Sequence, residues 1–80
     1  MNISVRFFAL YKDRAGIGNP TIELPEGATT SNLMDKLHSI YPNLPSSATV
    51  LIAINYEYAE PNSVLHDGDE VAIIPPVSGG

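Results

Sequence analysis

The residues that could do chemistry stand together at the C-terminal end, Pro75-Pro76-Val77-Ser78-Gly79-Gly80. Ser78 is the one reactive side chain among them, and no histidine lies near it in sequence to serve as its base, so a serine nucleophile is not expected. What remains is the terminal carboxylate on Gly80, which we expect to be the reactive group. Gly79 and Gly80 have no Cβ, so they can enter a channel too narrow for other residues, with the carboxylate in front. Pro75 and Pro76 cannot donate ladder hydrogen bonds and hold the chain extended; with Val77 and Ser78 they position the tail.

A reaching tail needs a body to aim it. Eighty residues make one domain, which we divide into a folded domain over 1–74 and a reactive tail over 75–80. A chain of this size buries only about 60–65% of its unfolded surface, too little for a deep active-site cleft, so no independent active site is expected. The composition, 44% hydrophobic and 16% charged, is that of a globular protein. There is no cysteine, which removes disulfides, thiolate metal sites and a cysteine nucleophile together. His38 and His66 are far apart, and Asp67, Asp69 and Glu70 lack the twelve-residue calcium-loop pattern. No phosphate-loop motif is present. We therefore expect no metal or cofactor bound by the chain itself. Without a signal-peptide pattern or an apolar run of ~18 residues, a cytoplasmic location away from membranes is the expectation.

The net charge is −5, unevenly spread. Arg6, Lys12, Arg14 and Lys36 all precede position 37, whereas Glu57, Glu60, Asp67, Asp69 and Glu70 have no basic neighbours in sequence. This argues against nucleic acid and suits a partner with a basic docking surface.

The elements that position the tail follow from periodicity. Asn2–Ala9 alternates, with Ile3, Val5, Phe7 and Ala9 on a core face and Phe8 on the outer one. Residues 12–20 form a polar turn region, and Thr21–Leu24 a second strand with Ile22 and Leu24 inward. Thr29 or Thr30 caps a helix to about Tyr41, whose stripe of Leu33, Leu37, Ile40 and Tyr41 faces the core. Asn32 stands where a capping box wants Glu or Gln, so the box is incomplete. Val50–Ile54 is an interior strand, Tyr56–Tyr58 a short edge strand, and Glu70–Ile74 the last strand. One helix cannot cover both faces of a sheet, which leaves a face for a partner. If the first and last strands are adjacent and parallel, Phe8 and Ile74 meet there, at the root of the tail.

Val5-Arg6-Phe7-Phe8-Ala9, Leu24-Pro25-Glu26-Gly27-Ala28-Thr29, Ala53-Ile54-Asn55-Tyr56-Glu57 and Asp67-Gly68-Asp69-Glu70-Val71-Ala72 through Pro75-Pro76-Val77-Ser78-Gly79-Gly80 resemble the small, sulfur-carrier subunits of molybdopterin synthase. The resemblance runs in order over nearly the whole chain. It implies an α+β, β-grasp (ubiquitin-like) fold: a mixed sheet of about five strands packed on one helix, with an extended Gly-Gly tail.

It also implies a mechanism and partners. An activating enzyme uses ATP to adenylate the Gly80 carboxylate, sulfur from a donor protein replaces AMP, and the resulting thiocarboxylate is delivered into the large synthase subunit. There, sulfur passes to cyclic pyranopterin monophosphate within a heterotetramer. A carboxylate with a pKa of roughly 3.5 is ionised and a poor electrophile at neutral pH, so adenylation supplies the missing leaving group. By the same resemblance, Phe8, Lys12, Tyr58 and Ile74 meet the large subunit. Lys12 stands in place of an arginine and Ile74 in place of an aromatic residue. The same tail chemistry would also serve a carrier for another sulfur pathway, such as thiamine synthesis, or a modifier joined to lysines through Gly80.

Overall fold

The computed structural model describes residues 1–44, 50–60 and 62–74. The tail positions Pro75, Pro76, Val77, Ser78, Gly79 and Gly80, and the roles assigned to them, lie outside the described residues. The elements run β1 (Asn2–Phe7), α1 (Ala9–Ala15), β2 (Thr21–Glu23), α2 (Thr30–Ile40), β3 (Leu51–Ile54), β4 (Glu57–Tyr58) and β5 (Glu70–Ile74). They form one mixed sheet in the order β2-β1-β5-β3-β4, the β-grasp arrangement.

β1 keeps the alternation of its sequence: Ile3, Val5 and Phe7 are buried, while Asn2, Ser4 and Arg6 are exposed. It pairs antiparallel with β2, Ile3 opposite Ile22, and parallel with β5, Val5 opposite Val71 and Phe7 opposite Ile73. β5 pairs antiparallel with β3 on its other side. Both neighbours of β5 are thus hydrogen-bonded strands, and Val71 and Ile73 are fully buried. The Asp67-Gly68 turn ties this pair down: Asn2 donates to Asp67 Oδ1 at 2.7 Å and Gly68 N–H to the Asn2 carbonyl at 2.9 Å. Gly68 meets the turn at φ +86°, which favours glycine.

Two expectations are corrected at the end of β1. The strand stops at Phe7, not Ala9, and Ala9 is exposed rather than inward. Phe8 is the N-cap, and Ala9 turns at φ 49° into α1, a helix that starts within the stretch read as strand and runs into the one read as a polar turn region. Tertiary packing drives this: Tyr11 is buried beside Phe7, ring centroids 6.5 Å apart, so the segment gains core contact by coiling. Gly16 at φ 77° ends the helix and donates to the Lys12 carbonyl at 3.0 Å. Among the described residues the sheet therefore carries two helices, not one.

α2 packs through Leu33, Met34 and Leu37, and Tyr41 meets Phe7 edge-on at 5.7 Å between centroids. Ile40, expected in this stripe, is exposed, because the buried arc is centred on Thr30, Leu33, Met34 and Leu37 and Ile40 falls at its margin. The capping box is complete after all: Thr29 N–H donates to Asn32 Oδ1 at 2.9 Å and Asn32 N–H to Thr29 Oγ1 at 3.4 Å. An asparagine spans the gap because both residues already point at each other across one turn. β3 starts at Leu51 rather than Val50, and β4 at Glu57 rather than Tyr56.

Two measurements check this frame. Thr29→Ala removes the cap and should lower stability by about 1 kcal/mol in urea unfolding, with the slope unchanged. Burial raises the Tyr11 phenol above its usual 10.0. Stability is therefore fully present below the unfolded value and is lost as pH rises through the higher folded value. Tyr11→Phe should unfold less readily than wild type as the pH is raised above about 10 in a pH titration.

Candidate functional site

The face of the sheet turned away from α2 carries the outward residues of each strand. Register sets them in rows. Arg6 lies beside Ala72, Ala72 opposite Ala53, and Ala53 opposite Tyr58, so one row crosses β1, β5, β3 and β4. Leu51 and Ile74 form the next row. Alanines at the two central positions and long side chains at both ends make the face concave. The result is a basin of about 570 Å³, walled by Phe8, Ala9, Tyr56, Tyr58 and Ile74, with Arg6 and Glu70 on one margin.

The polar side chains that line the basin are Arg6, Glu70, Tyr56 and Tyr58; the rest are apolar. Among the described residues, no group of three or more His, Asp or Glu could hold a metal ion. The basin's one ion pair among the described residues, Arg6 Nε to Glu70 Oε1 at 2.6 Å, is half exposed at the arginine and contributes little to folding. It does leave this margin electrically matched, so covering it would not strand a single charge. The remaining surface is apolar, aromatic and shallow, which suits a macromolecular partner.

The sequence-predicted contact residues are partly brought together. Phe8, Tyr58 and Ile74 all line the basin. Lys12 does not; it stands on α1 with its stem over Gly18, in a neighbouring depression that shares Arg6, Phe8 and Ala9 with the basin. Sequence reasoning did not single out Arg6, Ala9, Ala53, Tyr56, Glu70 or Ala72 as site residues. The available signal was small alanines at 53 and 72 inside otherwise bulky strands.

Tyr56 was placed in an edge strand, and the structure corrects this. Ile54 and Glu57 pair across a two-residue turn in which Asn55 (φ 51°) and Tyr56 (φ 72°) are both left-handed, the type I′ pattern. Asparagine tolerates this; tyrosine pays roughly 1 kcal/mol or more for it. Asn55 bolts the turn to β5: its Nδ2 donates to Asp69 Oδ1 at 3.0 Å, its Oδ1 accepts from Glu70 N–H at 3.0 Å, and its own N–H donates to the Glu70 carbonyl at 2.8 Å.

Comparison with known proteins places this geometry. Residues 5–80 match the model of the ThiS family. The chain is 45% identical to a molybdopterin synthase sulfur carrier subunit of Chlamydomonas reinhardtii, over the full length of both chains. It superimposes with a TM-score of 0.87 and 31% identity on a putative molybdopterin converting factor subunit 1 of Pyrococcus furiosus, covering 96% of this chain and 99% of that one. It also matches, at a TM-score of 0.72 and 28% identity over all of both chains, a chain from the complex of subunits 1 and 2 of the molybdopterin-converting factor of Helicobacter pylori.

The face assignment has a direct check. Ile74→Asp and Phe8→Asp should remain folded, with stability changed by about 1 kcal/mol or less. Ile73→Asp, one residue away on the buried side, should abolish the cooperative thermal transition.

Proposed function

As the chain belongs to the ThiS family, alongside the molybdopterin synthase sulfur carrier subunits, we propose that it carries sulfur as a thiocarboxylate on Gly80 and donates it in molybdopterin synthesis. The observation that carries this reading is the place of the basin. Ile74, the last residue of β5, forms part of its wall, and Pro75 follows directly in sequence. A partner seated on the basin is therefore beside the start of the tail. The partner proposed for the basin is the large subunit of molybdopterin synthase. The Helicobacter pylori neighbour, a chain of a subunit 1–subunit 2 complex, supports this. We extend the proposal to a heterotetramer and to an activating enzyme that precedes sulfur transfer.

The chemistry divides between chain and partners. The Gly80 carboxylate attacks the α-phosphorus of ATP on the activating enzyme, and pyrophosphate leaves. Hydrosulfide released by a donor protein then adds to the acyl carbon, AMP leaves with the bond electrons, and loss of a proton leaves the thiocarboxylate. The thiocarboxylate sulfur attacks a carbon of cyclic pyranopterin monophosphate in the large subunit and displaces an oxygen substituent there, as water or as the opened cyclic phosphate. Water then cleaves the acyl–sulfur bond, which leaves the sulfur on the product and returns the Gly80 carboxylate. This chain contributes delivery: Phe8, Tyr58 and Ile74 dock, Lys12 meets an acidic group of the partner beside them, and the narrow Gly79-Gly80 end reaches inward.

The test uses the activating enzyme, ATP and a sulfur source. Intact mass should show one oxygen replaced by sulfur, mapped by fragmentation to Gly80. With chemically thiocarboxylated protein and the large subunit, single-turnover transfer should be lost on deleting Gly80, which withdraws the reactive group by about 3.5 Å. It should also be lost in Ile74→Asp through failed docking. Lysine-linked conjugates without thiocarboxylate would replace this reading with that of a protein modifier.

A further inference from the structure

Tyr56 is 85% exposed, the most exposed of the large hydrophobic residues described. It occupies the second central position of a type I′ turn, where the backbone favours glycine. Among the described residues its hydroxyl has no hydrogen-bond partner. The folded chain thus holds a strained tyrosine that returns almost nothing to its own core. Strain of this kind, kept in place by a surrounding framework, marks a position used for something other than folding. The framework here is the Asn55 bracket to Asp69 and Glu70, which fixes the turn against β5.

We infer that Tyr56 is a binding residue for the docked partner, and that it receives a cationic side chain there, an arginine by preference. This rests on the docking role proposed above and adds a second anchor to Phe8, Tyr58 and Ile74. The ring stands on the wall of the basin and is continuous with that surface. The acid that lines the basin with Tyr56 is Glu70, paired with Arg6; Glu57 pairs with Ile54 and so points away from the Ala53–Tyr58 row. Arg6, the basic residue lining the basin, is already matched by Glu70, and the chain as a whole carries a net charge of −5, which favours the approach of a cation. A planar guanidinium can stack on the exposed tyrosine face, a geometry lysine reproduces poorly. Tyrosine also suits an anchor because its side chain has few torsions to freeze on binding. The bolted turn has already fixed its backbone.

The experiment pairs stability with affinity for the large subunit, using the full-length protein. Tyr56→Gly should raise the melting temperature by about 4 °C or more, since glycine relieves the left-handed strain. The same variant should bind the large subunit about tenfold more weakly. A residue that served the fold alone would move both quantities down together, and that result overturns the inference. Tyr56→Phe should keep wild-type affinity, because the ring face carries the contact. Wild-type binding should weaken as salt is raised, and Tyr56→Gly should flatten that dependence; an equal salt dependence in the two proteins overturns the cationic contact. Wild-type affinity in Tyr56→Gly overturns the anchor while leaving the docking role intact. Failure of the wild-type protein itself to bind takes down the docking role, and this inference with it.

Discussion

The parallel pairing of β1 with β5 is the constraint on which the rest of the structure depends. Two strands from opposite ends of the chain run in the same direction, with Val5 opposite Val71 and Phe7 opposite Ile73, all in the buried core. Because they are parallel, they finish at the same end of the sheet. β1 leaves through Phe8 into α1, and β5 ends at Ile74, which Pro75 follows in sequence. An antiparallel pairing would send the tail out at the opposite end from Phe8. The register therefore does two things at once: it closes the core and gathers apolar side chains at the point where the tail begins.

The two faces of the central strands have divided roles. Inward, Val71 and Ile73 join Leu33 and Leu37 of α2 in close packing, where volume changes are costly. Outward, Ala72 and Ala53 leave room, and the larger residues around them turn that room into a basin. An alanine at the centre of a sheet gives up cross-strand contact that a β-branched residue would make. The loss on this face is what makes it concave. The acidic turns beside it then bias the surface toward a basic partner without placing an unpaired charge on its floor.

Much of this was legible in the sequence because it rests on short-range pattern. The alternation of Ile3, Val5 and Phe7 and the run Glu70–Ile74 define β1 and β5 nearly to the residue. Phe8 and Ile74 could be assigned to the outer face by parity alone, with Tyr58 on the edge. What was not legible depended on tertiary contact. α1 has only 7 residues, fewer than two turns, and its one buried side chain, Tyr11, gives no stripe to recognise. The Asn32 cap departs from the usual residue choice and works through local geometry. The alanine floor exists only once register brings Ala53 opposite Ala72, and Lys12 proved to lie beside the basin because α1 turned it there.

The central claim is that the basin face, and not the α2 face, receives the partner. The most direct measurement is an amide chemical-shift titration of isotope-labelled protein with the unlabelled large subunit of molybdopterin synthase. The largest perturbations should fall on Phe8, Ala53, Tyr58, Ala72 and Ile74, with the exposed side of α2 around Asp35 and His38 unmoved. Perturbations concentrated on α2, with Ala53 and Ala72 silent, would contradict the claim.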